Sequence, residues 1–323
     1  MYGGVNEKHR WGVILAGGDG NRLRALTRLV SDEDRPKQFC PLLDGKTLLA
    51  QTQLRIAGTV DPGRTLFVLN KVHEPFYREE LARVRAIQKV VQPSNRGTLP
   101  AILWSLLRIV RSDEHAVVAF FPSDHYYTQE EKFIAGITSG YELAELHPRN
   151  IILLGAVANR PETQYGWIEP EPSVVSRLGN RLTRVRRFWE KPSSEVAQSL
   201  LDQGCLWNTF VMVGRASAFL RMIQQTAPGI YREFKSTLTT LSSPCLEAEV
   251  MQSLYDRLPA ADFSRSVLSA NTEELSVASL GDIGWSDLGD PRRLITTLFE
   301  TGMENPWVSS GSCNQCGANL ASS

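Results

Sequence analysis

Short, strongly apolar runs alternate with segments of helical periodicity over the first half of this chain. The apolar runs are rich in β-branched residues and predict buried strands over residues 12–16, 65–69, 116–121 and 151–157. Apolar residues recur at helical spacing over residues 47–56, 75–87, 99–110 and 130–146. A repeated order of strand, helix and strand is typical of a parallel sheet with helices on both faces. The sequence therefore predicts an α/β protein with a Rossmann-like mixed, mostly parallel sheet.

The second half of the chain is predicted to extend the same domain. Residues 206–214 and 274–280 read as further strands, and residues 246–258 have helical periodicity. No change of composition marks a linker before about residue 301. We expect one domain over residues 1–300.

Residues 301–323 are predicted to be a disordered tail. Cys313 and Cys316 lie in this Ser-, Gly- and Asn-rich stretch, and their spacing is one that can bind zinc or form a redox-active dithiol. The sequence has no second cysteine pair or histidine near them, and zinc usually needs four ligands. A tail without function is therefore the favoured interpretation.

The charge of the chain argues against nucleic acids and membranes as partners. Lys plus Arg and Asp plus Glu each number 35, so the formal net charge at pH 7 is zero. No overall field attracts the protein to a polyanion, and any anion site must be local. No apolar run approaches the roughly 20 residues of a membrane span, and the first ten residues lack a secretory signal. With five scattered cysteines, the expected location is the cytoplasm.

A glycine-rich loop follows the first predicted strand. Gly17, Gly18 and Gly20 leave backbone amides bare, and Arg22 can make two contacts with phosphate oxygens. Open α/β sheets bind ligands where such loops leave the carboxyl ends of strands. The loop is not a dinucleotide fingerprint, because Leu23 stands at the third glycine position, and no Lys-Ser or Lys-Thr completes a P-loop. A phosphate site is predicted, with a tight turn flanked by solvated arginines as the alternative.

Several segments along residues 11–295 form an ordered pattern. They read GGDGNRLRALTR followed by RPKQF, then QPSNRGTLPAI, FPSDH, YGWIEP, FWEKP, LWNTFVMV and GWSDLG. This pattern resembles sugar-1-phosphate nucleotidylyltransferases, and most of all their mannose-1-phosphate guanylyltransferase branch. The resemblance implies an enzyme that transfers a nucleotidyl group from GTP to mannose 1-phosphate and releases pyrophosphate. It also implies Mg²⁺ as cofactor and allows a homo-oligomer.

The same resemblance implies roles for individual residues. Arg22 would hold the leaving β- and γ-phosphates, and Lys37 would contact phosphate at the reacting centre. Asp124 and Asp287 would bind the metal, although an aspartate at a strand end often only caps a turn. The residues implied to bind the nucleotide are Ala16, Gly17, Gly18, Gly20, Asn21, Arg22, Gly97, Thr98 and Asp124. Those implied to bind the sugar phosphate are Gly166, Glu190, Lys191 and Asn208.

Two other functions stay open. Arg96-Gly97-Thr98-Leu99 stands where the family has an R-N-T-A arrangement near the base, so the chemistry is also compatible with another base or sugar, as in glucose-1-phosphate thymidylyl- or uridylyltransferases. A non-catalytic nucleotide-sugar sensor on the same fold is the second alternative, because fold alone does not fix function. A sensor predicts the loss of a charged site residue, and every one is present.

Overall fold

A large mixed sheet runs through the middle of the molecule in the computed structural model. The structure describes residues 7–31, 33–172, 182–240 and 246–302. Over these residues the strand order is β3-β2-β1-β4-β9-β6-β10-β8-β7. Strands β8 and β9 run opposite to the others, as their antiparallel pairings with β10, β4 and β6 require. The predicted Rossmann-like mixed, mostly parallel sheet is confirmed.

The strands of this sheet have the following bounds: β1 (Arg10–Leu15), β2 (Thr65–Asn70), β3 (Lys89–Gln92), β4 (Val117–Pro122), β6 (Ile151–Val157), β7 (Gly166–Pro170), β8 (Thr183–Glu190), β9 (Leu206–Arg215) and β10 (Leu275–Ser279). A separate antiparallel pair is formed by β5 (Tyr126–Tyr127) and β11 (Trp285–Ser286). The helices are α1 (Arg24–Ser31), α2 (Leu48–Ile56), α3 (Glu74–Tyr77), α4 (Thr98–Ser112), α5 (Glu130–Leu146), α6 (Ser194–Asp202), α7 (Ala216–Thr226), α8 (Pro228–Thr240), α9 (Glu247–Arg257) and α10 (Pro291–Thr301).

Helices cover both faces of the sheet, as predicted. Successive residues of each central strand point to opposite faces, so Val13 and Ile14 of β1 enter different hydrophobic clusters. One cluster packs the sheet against α4, α7 and α9, and the other packs it against α2, α5 and α6. A third cluster joins α10 to residues 40–48 and the preceding helix α1. Helix α10 therefore connects the end of the described chain to the segments around the glycine loop.

One predicted helix is wrong. Residues 75–87 have helical periodicity, but α3 spans only Glu74–Tyr77 and turns follow it. The chain tightens there, because the amides of Ala82 and Val84 bond to carbonyls three residues back instead of four. The last predicted boundary, at residue 301, coincides with the end of α10, while Cys313, Cys316 and the predicted tail beyond Gly302 lie outside the described residues. No helix in the described part is long and apolar enough to span a membrane.

Candidate active site

A cleft of about 420 Å³ opens at the carboxyl edge of the sheet, where β1 and β4 end. Most of the predicted site residues line it: Gly17, Gly18, Arg22, Gly97, Thr98, Asp124, Gly166, Glu190, Lys191, Asn208 and Asp287. Four predicted residues are not part of the lining: Ala16, Gly20, Asn21 and Lys37. Residues far apart in the sequence thus meet in one cleft. The loops after the parallel strands β1 and β4 leave the sheet at one edge, and Asn208 reaches the same edge because the antiparallel strand β9 begins there.

The glycine loop is fixed to the RPKQF segment behind it. Gln38 is buried, and its amide donates hydrogen bonds to the carbonyls of Ala16 (3.0 Å) and Gly18 (2.7 Å). Gly20 has φ 62°, and a Cβ there would lie 3.0 Å from the backbone nitrogen of Lys37. The chain then enters a 3₁₀ turn that leaves Arg22 exposed. The hydrogen bonds from Gln38 therefore fix the backbone at Ala16 and Gly18, while the side chain of Arg22 stays exposed.

A second set of contacts joins the glycine loop to the loop that follows β3. The side chain of Asn95 donates to Asp19 at 2.9 Å, and its oxygen accepts from the amide of Gly97. Asp19 also lies 3.3 Å from the imidazole of His73, which is buried. Burial lowers the pKa of His73 despite the nearby carboxylate of Asp19. Asp19 and Asn95, which the sequence did not single out, fix the spacing between the two predicted nucleotide loops.

Because residue 97 is a glycine, the segment around Ala261 can pack closely on the start of α4. Its φ is 86° and its ψ is −179°, a conformation that is essentially restricted to glycine. A Cβ at Gly97 would lie only 2.3 Å from the carbonyl oxygen of Ala261. That carbonyl accepts from the amide of Leu99, and the amide of Phe263 donates to the hydroxyl of Thr98. The residue that follows Ala261, Asp262, lines the cleft and was missed in the sequence.

Lys37 joins the two predicted metal ligands at the centre of the site. It is only 8% exposed, and its ammonium lies 3.0 Å from a carboxylate oxygen of Asp124. It also donates to the backbone carbonyls of Asp287 (2.6 Å) and Leu288 (3.3 Å). These partners differ from the phosphate contact implied by the resemblance. In this arrangement Lys37 holds the segment after β4 against the segment after β11.

The carboxylate of Asp287 is held by groups from three parts of the chain. Its Oδ1 accepts hydrogen bonds from the guanidinium of Arg293, the amide of Gly289 and the hydroxyl of Tyr165. Burial opposes ionisation of this carboxyl, but the charges of Lys37 and Arg293 outweigh it, and the pKa of Asp287 is lowered. Arg293 was missed in the sequence, since it lies on α10 beyond the last motif.

His125 contributes a neutral ring beside Asp124. The indole N–H of Trp285 donates to its Nδ1 at 3.2 Å, which leaves the imidazole proton on Nε2. Nε2 lies 3.9 Å from Asp124. Burial lowers the pKa of His125, with Asp124 opposing that effect and Lys37 adding to it. The imidazole therefore packs against the predicted metal site without adding charge.

The donor set fits a magnesium ion that shares its coordination with substrate. Within the ranges that the structure describes, no group of three or more His, Cys, Asp or Glu side chains could hold a metal by itself. Mg²⁺ is commonly bound by one or two carboxylates, with phosphate oxygens and water as the other ligands. Asp124 and Asp287 both line the cleft, and the three hydrogen bonds to Asp287 all fall on Oδ1. None of these three bonds uses Oδ2, so Oδ2 is the oxygen that a cation would take.

The other end of the cleft is lined by polar groups of β7, β8 and β9. A Cβ at Gly166 would lie 3.3 Å from both Asn208 Cβ and Glu190 Oε2, so these three residues are in close contact. Burial raises the pKa of Glu190, and the nearby Asp262 adds to this effect. Lys191 follows with φ 51° and an exposed side chain, its ammonium 3.9 Å from Glu190. This end pairs carboxylate and amide acceptors with an exposed cation.

Comparisons with known proteins show which proteins this chain resembles. The family model for nucleotidyl transferases matches residues 11–301. The chain is 29% identical over 282 residues to the alginate biosynthesis protein AlgA of Pseudomonas syringae, with 86% of this chain and 56% of that one covered. It is 26% identical over 298 residues to a mannose-1-phosphate guanylyltransferase of Escherichia coli, with 91% and 61% covered. The chain thus spans somewhat more than half the length of these curated relatives.

Solved structures of nucleotide-sugar enzymes also resemble this chain. A crystal structure titled mannose-1-phosphate geranyltransferase, from Thermus thermophilus, is 27% identical and superimposes with a TM-score of 0.77, covering 92% of this chain and 80% of that one. A UDP-glucose pyrophosphorylase bound to UDP-glucose is 15% identical with a TM-score of 0.53, covering 91% of this chain and 98% of that one, a likeness of fold. Because the family model covers nearly the whole described chain, the protein belongs to the nucleotidyl transferase family.

Proposed function

We propose that the protein is a magnesium-dependent mannose-1-phosphate guanylyltransferase, which joins GTP and mannose 1-phosphate into GDP-mannose and releases pyrophosphate. The observation that carries the proposal is the meeting of Arg22, Asp124 and Asp287 with Glu190 and Lys191 in one cleft. One end of the cleft has the glycine loop, whose amides can bind phosphate, and the other end has Glu190 and Lys191. Such a cleft suits two phosphorylated substrates. The choice of guanine and mannose is supported by the names of the curated relatives.

The reaction asks the protein for positioning and for charge neutralisation. A phosphate oxygen of the sugar phosphate attacks the α-phosphorus of GTP in line. The new P–O bond forms as the bond from the α-phosphorus to the bridging oxygen breaks, and pyrophosphate leaves with the electron pair. Little covalent chemistry falls to side chains, so catalysis depends on fixed donors around the phosphates.

The glycine loop and Arg22 would hold the triphosphate. Gly17 and Gly18 line the cleft in a loop that Gln38 fixes, so their amides would need little reorganisation to bind an anion. The exposed guanidinium of Arg22 can follow the β- and γ-phosphates as they depart. Asp124 and Asp287 would hold Mg²⁺, which when bound neutralises the charge of the two anionic substrates.

Glu190, Asn208 and Lys191 would hold the sugar 1-phosphate. Carboxylate and amide oxygens accept from sugar hydroxyls, and the exposed ammonium of Lys191 can reach the phosphate. The amide of Lys191 donates to the carbonyl of Tyr165 at 3.2 Å, which fixes its backbone although φ is positive. The sugar would thus be oriented by two acceptors while its phosphate points toward Asp124.

A substrate panel tests the proposal. The purified protein is incubated with Mg²⁺, each of the four ribonucleoside triphosphates or dTTP, and mannose, glucose or galactose 1-phosphate, and pyrophosphate release is measured. We expect the highest kcat/KM for GTP with mannose 1-phosphate. A higher value for another pair would replace the substrates named here, and no turnover with any pair, despite nucleotide binding, would favour a sensor.

The raised pKa of Glu190 predicts that sugar-phosphate binding weakens at low pH, which gives the pH profile of KM an acid limb. Protonation removes the carboxylate acceptor, and it occurs at a higher pH than for an ordinary glutamate because the pKa is raised. As the pH falls through that pKa, we expect the KM for mannose 1-phosphate to rise by about tenfold or more. In Glu190→Gln the KM should be high at every pH, with no acid limb.

The matched control for this measurement is Glu80→Gln. Burial also raises the pKa of Glu80, which bonds to Thr47 and does not line the cleft. This variant should keep the acid limb of the parent protein. An unchanged limb in Glu190→Gln would remove Glu190 from the sugar site.

A further inference from the structure

Phe210 has a backbone conformation that is costly for its residue type. It lies in β9 with φ 60°, in the left-handed region that bulky side chains rarely adopt. The pairing of β9 with β6 is irregular at the same place, where the register shifts between Leu153 and Gly155. A glycine would take this conformation without strain. A phenylalanine at such a position calls for an explanation in terms of what its ring does.

Hydrogen bonds around Phe210 hold the bulge in place. The amide of Phe210 donates to the side-chain oxygen of Asn208 at 3.1 Å. The buried hydroxyl of Thr209 donates to the carbonyl of Leu154 at 2.6 Å and accepts from the amide of Val211 at 3.2 Å. The neighbouring residues therefore impose the left-handed turn, and strain retained in this way is typical of functional sites.

Phe210 forms part of the wall of the active-site cleft. Phe210 is half-buried, packs against the hydrophobic cluster on the α4 side of the sheet and lines the cleft. Its amide partner Asn208 touches Gly166, which in turn lies beside Glu190. An aromatic surface thus stands next to the polar groups proposed to bind sugar hydroxyls.

The order of strands places Phe210 on the sugar side of the reacting centre. The glycine loop follows β1 and the second nucleotide loop follows β3, both on one side of β4. Strand β9 lies on the other side of β4 and also pairs with β7, which begins at Gly166. A ring at this point is suited to the apolar face of a pyranose better than to a base. Ligand sites commonly combine such an apolar wall with a few polar groups that fix orientation.

We propose that Phe210 is a specificity-determining residue of the sugar subsite, where its ring lies against the C–H face of the hexose of a sugar 1-phosphate while Asn208 and Glu190 accept from its hydroxyls. The inference rests on the proposed function. It assigns the side chain at a strained position to one substrate of the pair. Loss of the ring should therefore weaken the binding of the sugar phosphate and leave the binding of the nucleotide nearly unchanged.

Two substitutions test this assignment. Phe210→Gly relieves the backbone and removes the ring, whereas Phe210→Leu keeps apolar bulk without a planar face. For Phe210→Gly we expect the Kd and KM of mannose 1-phosphate to rise about 5- to 10-fold, as the loss of an aromatic contact implies. The KM of GTP should change less than about twofold, since β9 lies across β4 from β1 and β3, whose loops are proposed to hold the nucleotide. Phe210→Leu should lie between the parent protein and Phe210→Gly.

Asp44→Gly is the control for backbone relief. Asp44 also has a positive φ, 52°, but it is exposed and does not line the cleft. It should leave both KM values unchanged. Sugar-phosphate binding is measured by calorimetry as well as by turnover, so that failure of the inference and failure of the proposed function are distinguishable. Equal Kd values for mannose 1-phosphate in all variants, or a rise confined to GTP, would overturn the role of Phe210, whatever the turnover of the parent protein.

Discussion

Replacing Asp287 with asparagine is expected to lower kcat by about a hundred- to a thousandfold with the fold retained. Asparagine has the same shape and can still accept from Tyr165 and Gly289, but it lacks the charge that a magnesium ion requires. Pyrophosphate release is measured over a range of Mg²⁺ concentrations, and half-maximal activity should move to a higher concentration. Circular dichroism should show an unchanged fold.

Asp290→Asn is the matched control for this change. Asp290 caps the N-terminus of α10 and contacts Arg293, as Asp287 does, but it does not line the cleft. Asparagine caps helices about as well as aspartate, so the control should keep nearly normal kcat. Equal losses in both variants would assign the effect to the start of α10. A nearly normal rate in Asp287→Asn would remove Asp287 from the metal site.

The fold was predictable where burial leaves a regular pattern. Strands β2, β4 and β6 are buried along nearly their whole length and β1 at residues 12–14, so they appear in the sequence as continuous apolar runs. Strand β3 was not recognisable in this way, because it is short, lies at the edge of the sheet and alternates buried with half-buried residues. Hydrophobic periodicity in a sequence reflects burial, so it identifies a strand or helix poorly where that element is half exposed.

Motif spacing predicted which residues would share a cleft, but not the contacts between them. Arg22, Asp124 and Asp287 meet because they follow strands or strand pairs at one edge of the fold. The groups that fix them could not be predicted, since Asp19 meets Asn95 only after β1, β2 and β3 have paired in register. Arg293 reaches Asp287 through the packing of α10, which no motif marks. The roles implied by the resemblance therefore remain predictions for mutagenesis.

Lys37→Met should be the most damaging of the single changes considered, because Lys37 ties two segments of the site together and is also proposed to be a cation of the reacting centre. Methionine has similar length but leaves the carboxylate of Asp124 and the carbonyls of Asp287 and Leu288 without their donor. Leu288 has φ 46°, so the segment that carries Asp287 loses one of the contacts that hold it in a strained turn. We expect kcat to fall by about a thousandfold and the free energy of unfolding by about 2–3 kcal/mol.

The double variant Lys37→Met/Asp124→Asn distinguishes the two roles of Lys37. Removing the carboxylate as well eliminates the uncompensated charge, so the loss of stability should be smaller than the sum of the two single losses. Catalysis should not recover, because both the cation and a metal ligand are then missing. Lys71→Met, at an exposed lysine outside the cleft, should leave both quantities near the parent values. We expect a kcat below that of Asp124→Asn alone, because removing a lysine that contributes charge to the reacting phosphates should lower the rate further. An equal kcat in Asp124→Asn and in the double variant would leave Lys37 as a structural tie only.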